Sequence, residues 1–219
     1  MNEQEQWESV KRWLRENATF LLVGIVLGLG VVFGWRYWQE HQDQQALNAS
    51  NEYGQIIDAL GSGDNAKALT TLTALEKAYP QSPYVDQGRL VLARAHIDKR
   101  EYGPASELLA LVAESKTDPV MALVARVRLA KTQTADGKAD AALTTLQAVE
   151  PGAFKAQFDE ARGDALLAKG DRGGALAAYQ AARSTGLAAA IDTEILDLKI
   201  ADLATGAPDA PATPAADAG

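Results

Sequence analysis

The pattern of apolar and polar positions divides the chain into four stretches. From Ala18 to Trp35 there are 18 residues without a charge. At about 1.5 Å per residue that helix is about 27 Å long, close to the hydrocarbon thickness of a bilayer. Before it, residues 1–17 are mostly polar and charged. Past Trp38 the chain turns polar but keeps Ala46, Ala49, Tyr53, Ile56 and Leu60 at steps of three or four. That spacing predicts a membrane helix that runs on without a break into the next region. From residue 39 to 204, short stripes of helical spacing alternate with breakers. From Thr205 to Gly219, three Pro and six Ala with no large apolar group predict a disordered tail. The expected fold class is all-α: a cytoplasmic segment over 1–17, a transmembrane helix over 18–38, a helical domain over 39–204 and the tail over 205–219.

The helical domain repeats itself. ALTTL at Ala68–Leu72 recurs at Ala142–Leu146, 74 residues later, and the midpoint of that interval carries Ala105. A further copy begins at Ala175 as ALAAY. Five residues before each alanine lies a turn: Gly63-Asp64, Arg100-Glu101, Gly137-Lys138 and Gly170-Asp171. Glycine there closes one helix before the next begins; position 100 departs from this. Small residues at 68, 105, 142 and 175, and at Ala93, Ala130 and Gly163, let two antiparallel helices approach. Leu72, Leu109, Leu146 and Tyr179 then fill the space between pairs. Pro80 and Pro83, Pro119, Pro151-Gly152 and Ser184 to Gly186 close the units. Helix pairs of 33 to 37 residues match tetratricopeptide-like repeats. About four pairs are expected, with a capping helix over Leu187–Ala204; a non-repetitive helical bundle is the alternative.

The flanks of the apolar run set its expected orientation. Lys11, Arg12 and Arg15 precede it and only Arg36 follows closely, so the N-terminus is expected in the cytoplasm and the domain outside. A cleaved signal peptide fits poorly, because the bulky WRYWQEHQ follows where small residues would be needed. Trp35, Tyr37 and Trp38 suit an interfacial belt. Gly24, Gly28, Gly30 and Gly34 share about half the circumference of the helix and form a candidate face for another membrane helix. Glycine is also common in membrane helices that dock on nothing.

Composition narrows the chemistry. Twenty-nine acidic against 21 basic residues give a net charge of −8, unlike a general nucleic-acid binder. With no cysteine and two histidines, His41 and His96, no metal-ligand spacing appears. No serine lies in a GxSxG elbow and there is no phosphate-binding GxxxxGK[ST] loop. Gly170-Asp171-Arg172-Gly173-Gly174 falls at an inter-helix turn and reads as that turn. Asp159, Glu160 and Asp164 read as a solvated helix face. No enzyme activity and no cofactor are expected. Binding is the better-supported role. Solenoids of helix pairs expose a concave side lined by the first helix of each pair. The repeat register places Gln87, Leu90, Arg94, Val124, Val127, Lys131, Gln157 and Glu160 there as a candidate protein-binding groove, with inter-repeat core as the competing assignment for Leu90 and Val127.

Several segments, taken in order, resemble a known family. They are the Trp13-containing amphipathic segment after an acidic start, and the membrane exit Gly34-Trp35-Arg36-Tyr37-Trp38. With them go Arg162-Gly163-Asp164-Ala165-Leu166-Leu167, Gly170-Asp171, Ala178-Tyr179-Gln180 and the closing Leu198-Lys199-Ile200-Ala201-Asp202-Leu203-Ala204. Their order resembles the YfgM family, ancillary subunits of the bacterial SecYEG translocon. The resemblance implies a single-pass inner-membrane protein with a periplasmic repeat domain. It further implies association with the SecYEG channel and with a membrane-anchored periplasmic chaperone of the prolyl-isomerase type (PpiD), and a part in handing over secreted and outer-membrane proteins. Direct contact with those client polypeptides stays open. The alternative is an envelope scaffold or stress-signalling regulator that uses the same groove for another protein. Its cytoplasmic contact would lie on the face of Trp7, Val10, Trp13 and Leu14, which could equally rest in the membrane interface.

Overall fold

Asn17 interrupts an otherwise helical N-terminus. Its backbone N–H and its side-chain Nδ2 both donate to the Trp13 carbonyl, at 3.0 and 2.9 Å, and it lies between α1 (Glu3–Glu16) and α2 (Ala18–Gly61). The structure is a computed structural model and describes residues 3–184 and 192–205. The chain forms two units, Met1–Asn51 and Glu52–Gly219. The first contains α1 and the apolar part of α2. An 18-residue window of α2 has a mean hydropathy of 2.3 and none of it is buried, so this helix is long and apolar enough to cross a membrane.

The second unit is an α-solenoid of helix pairs. The end of α2 is followed by α3 (Asn65–Ala78). Then come α4 (Pro83–Asp98) with α5 (Tyr102–Ala113), and α6 (Pro119–Ala135) with α7 (Ala139–Gln147). The last pair is α8 (Lys155–Ala168) with α9 (Arg172–Ser184), capped by α10 (Thr193–Thr205). No strand occurs among the described residues. Ser82 and Asp118, each followed by proline at the first helical position, start α4 and α6: Ser82 Oγ accepts from Tyr84 N–H at 3.3 Å and Asp118 Oδ1 from Val120 N–H at 2.8 Å.

The four expected turns share one geometry. The N–H groups of Asp64, Glu101, Lys138 and Asp171 reach back to Ala59, His96, Gln133 and Leu166 carbonyls at 2.9, 2.9, 2.8 and 3.0 Å. This is the six-to-one bond of a Schellman motif, which needs a left-handed residue just before the donor. Gly63, Gly137 and Gly170 supply it with φ of 79°, 75° and 84°, and Arg100 does so at 59°. Arg100 is the one described non-glycine residue with positive φ. The departure at 100 is therefore one of residue type; the backbone follows the repeat, and a left-handed L-residue costs about 1–2 kcal/mol.

Packing follows the same register. Ala68, Ala105, Ala142 and Ala175 are all fully buried, and Leu72, Leu109, Leu146 and Tyr179 lie beside them in the interior. One apolar cluster joins Ala93, Leu109, Val112 and Ala125; the next joins Ala130, Ala142, Leu146 and Phe158. The last joins Ala175 and Tyr179 to Leu196 and Leu203 of α10. At Gly163 a Cβ would collide with the Tyr179 ring, so α8 and α9 approach only because that side chain is absent. Arg126 ties three helices together, donating to the Ala113 carbonyl at 2.9 Å and the Thr145 carbonyl at 3.4 Å. The expected capping helix is present from Thr193, with Asp192 Oδ1 accepting from the N–H groups of Glu194 and Ile195. Its expected beginning at Leu187 lies outside the described residues, as does the expected tail over 205–219 except for Thr205, the last residue of α10.

Candidate protein-binding face

The first helices of consecutive pairs, α4 and α6, leave a cavity of about 470 Å³ between them. Leu90, Val91 and Ile97 face it from α4, and Leu109 and Tyr102 reach it from α5. Arg94 on α4 and Arg128 and Lys131 on α6 add three cations to its lining, and no carboxylate lines it. The face exists because of helical spacing: residues 90, 94 and 97 step by four and three, as do 128, 131 and 135.

The candidate groove residues are distributed unevenly over this geometry. Leu90, Arg94 and Lys131 line the cavity. Glu160 on α8 reaches it through Lys131, whose Nζ donates to Oε2 at 3.1 Å. Gln87 and Val124 are half-buried on α4 and α6, and Gln157 is half-buried on α8. Val127 is only 8% exposed and packs in the cluster with Leu146 and Phe158. Sequence projection did not single out Arg128, Thr132 or Ala135, which lie on the cavity side of α6. Steps of three and four through Lys131 would have found them, since 128, 131, 132 and 135 share a face rotated by one residue from 124 and 127.

The charges fall into two groups. Arg94 Nε donates to Asp98 Oδ1 at 2.8 Å with both side chains exposed. Arg128 is exposed and makes no ion pair among the described residues. On α8, by contrast, the three acids are not a solvated face. Asp159 is buried and accepts from Lys155 at 2.7 Å and Arg162 at 3.1 Å. Glu160 and Asp164 share Lys199 of α10, whose Nζ lies 2.9 and 2.7 Å from them, while Tyr179 Oη donates to Asp164 at 2.8 Å. Burial pushes the Glu160 carboxyl upward, but the hydrogen bonds and charges of Lys199 and Lys131 outweigh it and hold the group below its ordinary value. Burial pushes Lys199 downward, yet its two carboxylate partners raise it overall. Tyr179 is pushed far up, by burial first and then by the Asp164 hydrogen bond and charge. His96 is half-buried, with Nδ1 2.6 Å from Glu101 Oε2 across the Arg100 turn. Among the described residues no three metal-ligating side chains converge.

In the N-terminal unit the glycine face is open. A Cβ at Gly24, Gly28, Gly30 or Gly34 would meet nothing within 4 Å. Trp7, Val10, Trp13 and Leu14 are exposed along α1, and the Trp35 and Trp38 rings lie 5.4 Å apart.

Comparison with known proteins places this architecture. Residues 11–205 match the family described as tetratricopeptide repeat-like domain. The chain is 35% identical over 204 residues to the ancillary SecYEG translocon subunit of Escherichia coli strain K12, covering 92% of this chain and 97% of that protein. It is 30% identical over 186 residues to the protein of that name from Haemophilus influenzae, covering 85% and 91% of the two. The protein of that name from Aggregatibacter actinomycetemcomitans is 29% identical over 203 residues, 93% of this chain and 98% of that one. No solved structure matches the chain.

Proposed function

Because the chain belongs to the tetratricopeptide repeat-like family of ancillary SecYEG translocon subunits, we propose that it is a non-enzymatic accessory of that channel. α2 anchors it in the inner membrane, with residues 1–17 in the cytoplasm and the repeats in the periplasm. The glycine face docks on a channel helix, and the α4–α6 face holds a periplasmic chaperone of the prolyl-isomerase type near emerging secreted and outer-membrane proteins. Tethering accounts for handover without nucleotide hydrolysis, because it turns a second encounter into an intramolecular one. The observation that carries this reading is the extent of the likeness, which runs through both the apolar helix and the repeats. Lys11, Arg12 and Arg15 ahead of the span support the orientation.

Affinity purification of the full chain in mild detergent tests it, beside a version with an unrelated membrane helix in place of residues 18–35. Channel subunits should co-purify with the native chain and be lost on the swap, while the chaperone stays. Recovery of neither from folded protein would refute the proposal. The exposed apolar face of α1 favours a second reading, a regulator with a cytoplasmic partner. Deleting residues 2–12 should then abolish function, whereas a scaffold that works only in the periplasm should tolerate it.

A further inference from the structure

The lining of the α4–α6 face selects the kind of partner it takes, an inference that rests on the reading of that face as a partner surface. The chain carries 29 acidic and 21 basic residues, yet this cavity is lined by Arg94, Arg128 and Lys131 and by no carboxylate. The acids that pair with the lining cations are already engaged. Asp98 pairs with Arg94, and Glu160 is divided between Lys131 and Lys199. Arg128 has no ion-pair partner among the described residues. Beneath these cations lies an apolar floor of Leu90, Val91, Ile97 and Leu109. The cations stand on both walls, Arg94 on α4 and the other two on α6.

We infer that this cavity takes a segment of a partner protein in which a large apolar side chain is flanked on both sides by Asp or Glu. The apolar side chain enters the floor between α4 and α6. The flanking carboxylates meet Arg128 on one wall and Arg94 on the other. Arg128 is the principal contact, since it gives up no existing ion pair, and its fork can hold a carboxylate through two hydrogen bonds. The exposed Arg94–Asp98 pair is weak enough to be exchanged. A chain-terminal carboxylate would satisfy only one wall, so side-chain carboxylates are the fitting source. A cavity of about 470 Å³ accommodates one or two side chains and not a folded surface.

The test is fluorescence anisotropy on the full chain in detergent micelles. The probe is a labelled, amidated peptide with leucine and phenylalanine flanked by aspartates; matched peptides carry lysine or asparagine in place of aspartate. The aspartate peptide should bind saturably, with affinity falling as salt rises. The lysine peptide should not bind. Arg128→Glu should weaken binding about tenfold or more, Arg128→Gln by about three- to tenfold, and Arg128→Lys less than either. Unchanged melting of these variants establishes that the loss is local, and the glutamine variant serves if the glutamate one fails to fold. Equal binding of the lysine peptide overturns the inference, as does no saturable binding of the aspartate peptide up to about 1 mM. A shift of the full chain from dimer to monomer in Arg128→Glu, without peptide binding, would assign the cavity to a second copy and also overturn it. Such failures leave co-purification with the channel and chaperone untouched, so the two readings fail separately.

Discussion

The α4–α6 face and the α8–α10 contact are built on the same repeat, but their polar groups differ in state. Between α4 and α6, cations stand over an apolar floor and Arg128 lacks an ion pair among the described residues. Between α8 and α10 the carboxylates of Glu160 and Asp164 are met by Lys199, whose ammonium also lies 5.3 Å from the centre of the Tyr179 ring. One site is satisfied within the chain, whereas the other leaves Arg128 without an ion pair among the described residues. Charges that serve stability are paired and partly buried, while charges left open at little cost to the fold are available to a partner.

Breaking the satisfied side should have the largest effects. Tyr179→Ala removes a fully buried ring that packs against Leu196 and Leu203 and should cost about 3–5 kcal/mol, read by chemical denaturation. Lys199→Met leaves Glu160 and Asp164 without their shared cation and should cost about 1–2 kcal/mol, between the values for exposed and buried pairs. The same variant should flatten the pH profile of stability. Glu160 is depressed in the folded state, so its contribution is full above the ordinary carboxyl value of 4.5 and is lost as pH falls through the lower folded value. Lys199 and Tyr179 are both raised, so above the ordinary tyrosine value of 10.0 the unfolded chain releases protons first and stability falls with pH. Thermal melts across pH should show both limbs in the native protein, and weaker ones in the variant.

Smaller effects sharpen the open side. Arg100→Gly relieves a left-handed arginine at the α4–α5 turn and should stabilise by about 0.5–1 kcal/mol, less than the strain itself because glycine gains freedom when unfolded. The matching change Gly137→Ala should destabilise. Arg94→Gln should alter stability by no more than about 0.5 kcal/mol, since its pair with Asp98 is exposed. A large loss there would erase the distinction between the two faces.

What the sequence disclosed was whatever repeats. The turns at 63, 100, 137 and 170, the alanines five residues later and the large residues four beyond those are periodic, because each unit solves the same packing problem. Gly163 as a small position and Tyr179 as a large one were legible for the same reason, but their direct contact was not. The pairing of Lys199 with Glu160 and Asp164 was not: ion pairs 39 and 35 residues apart leave no periodic trace, and the acids read as a solvated face. The cavity lay between these cases. Leu90, Arg94 and Lys131 were reached by projection, but a register one residue off on α6 selected Val127, which is core, and passed over Arg128.

Site-specific photo-crosslinking tests the partner face most directly. A photo-reactive residue is placed at Ala135, exposed beside the cavity, and in a second strain at Thr144, exposed on α7. The expected result is a crosslink from position 135 to a periplasmic chaperone, lost in Arg128→Glu, with none from position 144. Crosslinks to the chaperone from 144 and not from 135 would contradict the assignment of the α4–α6 face.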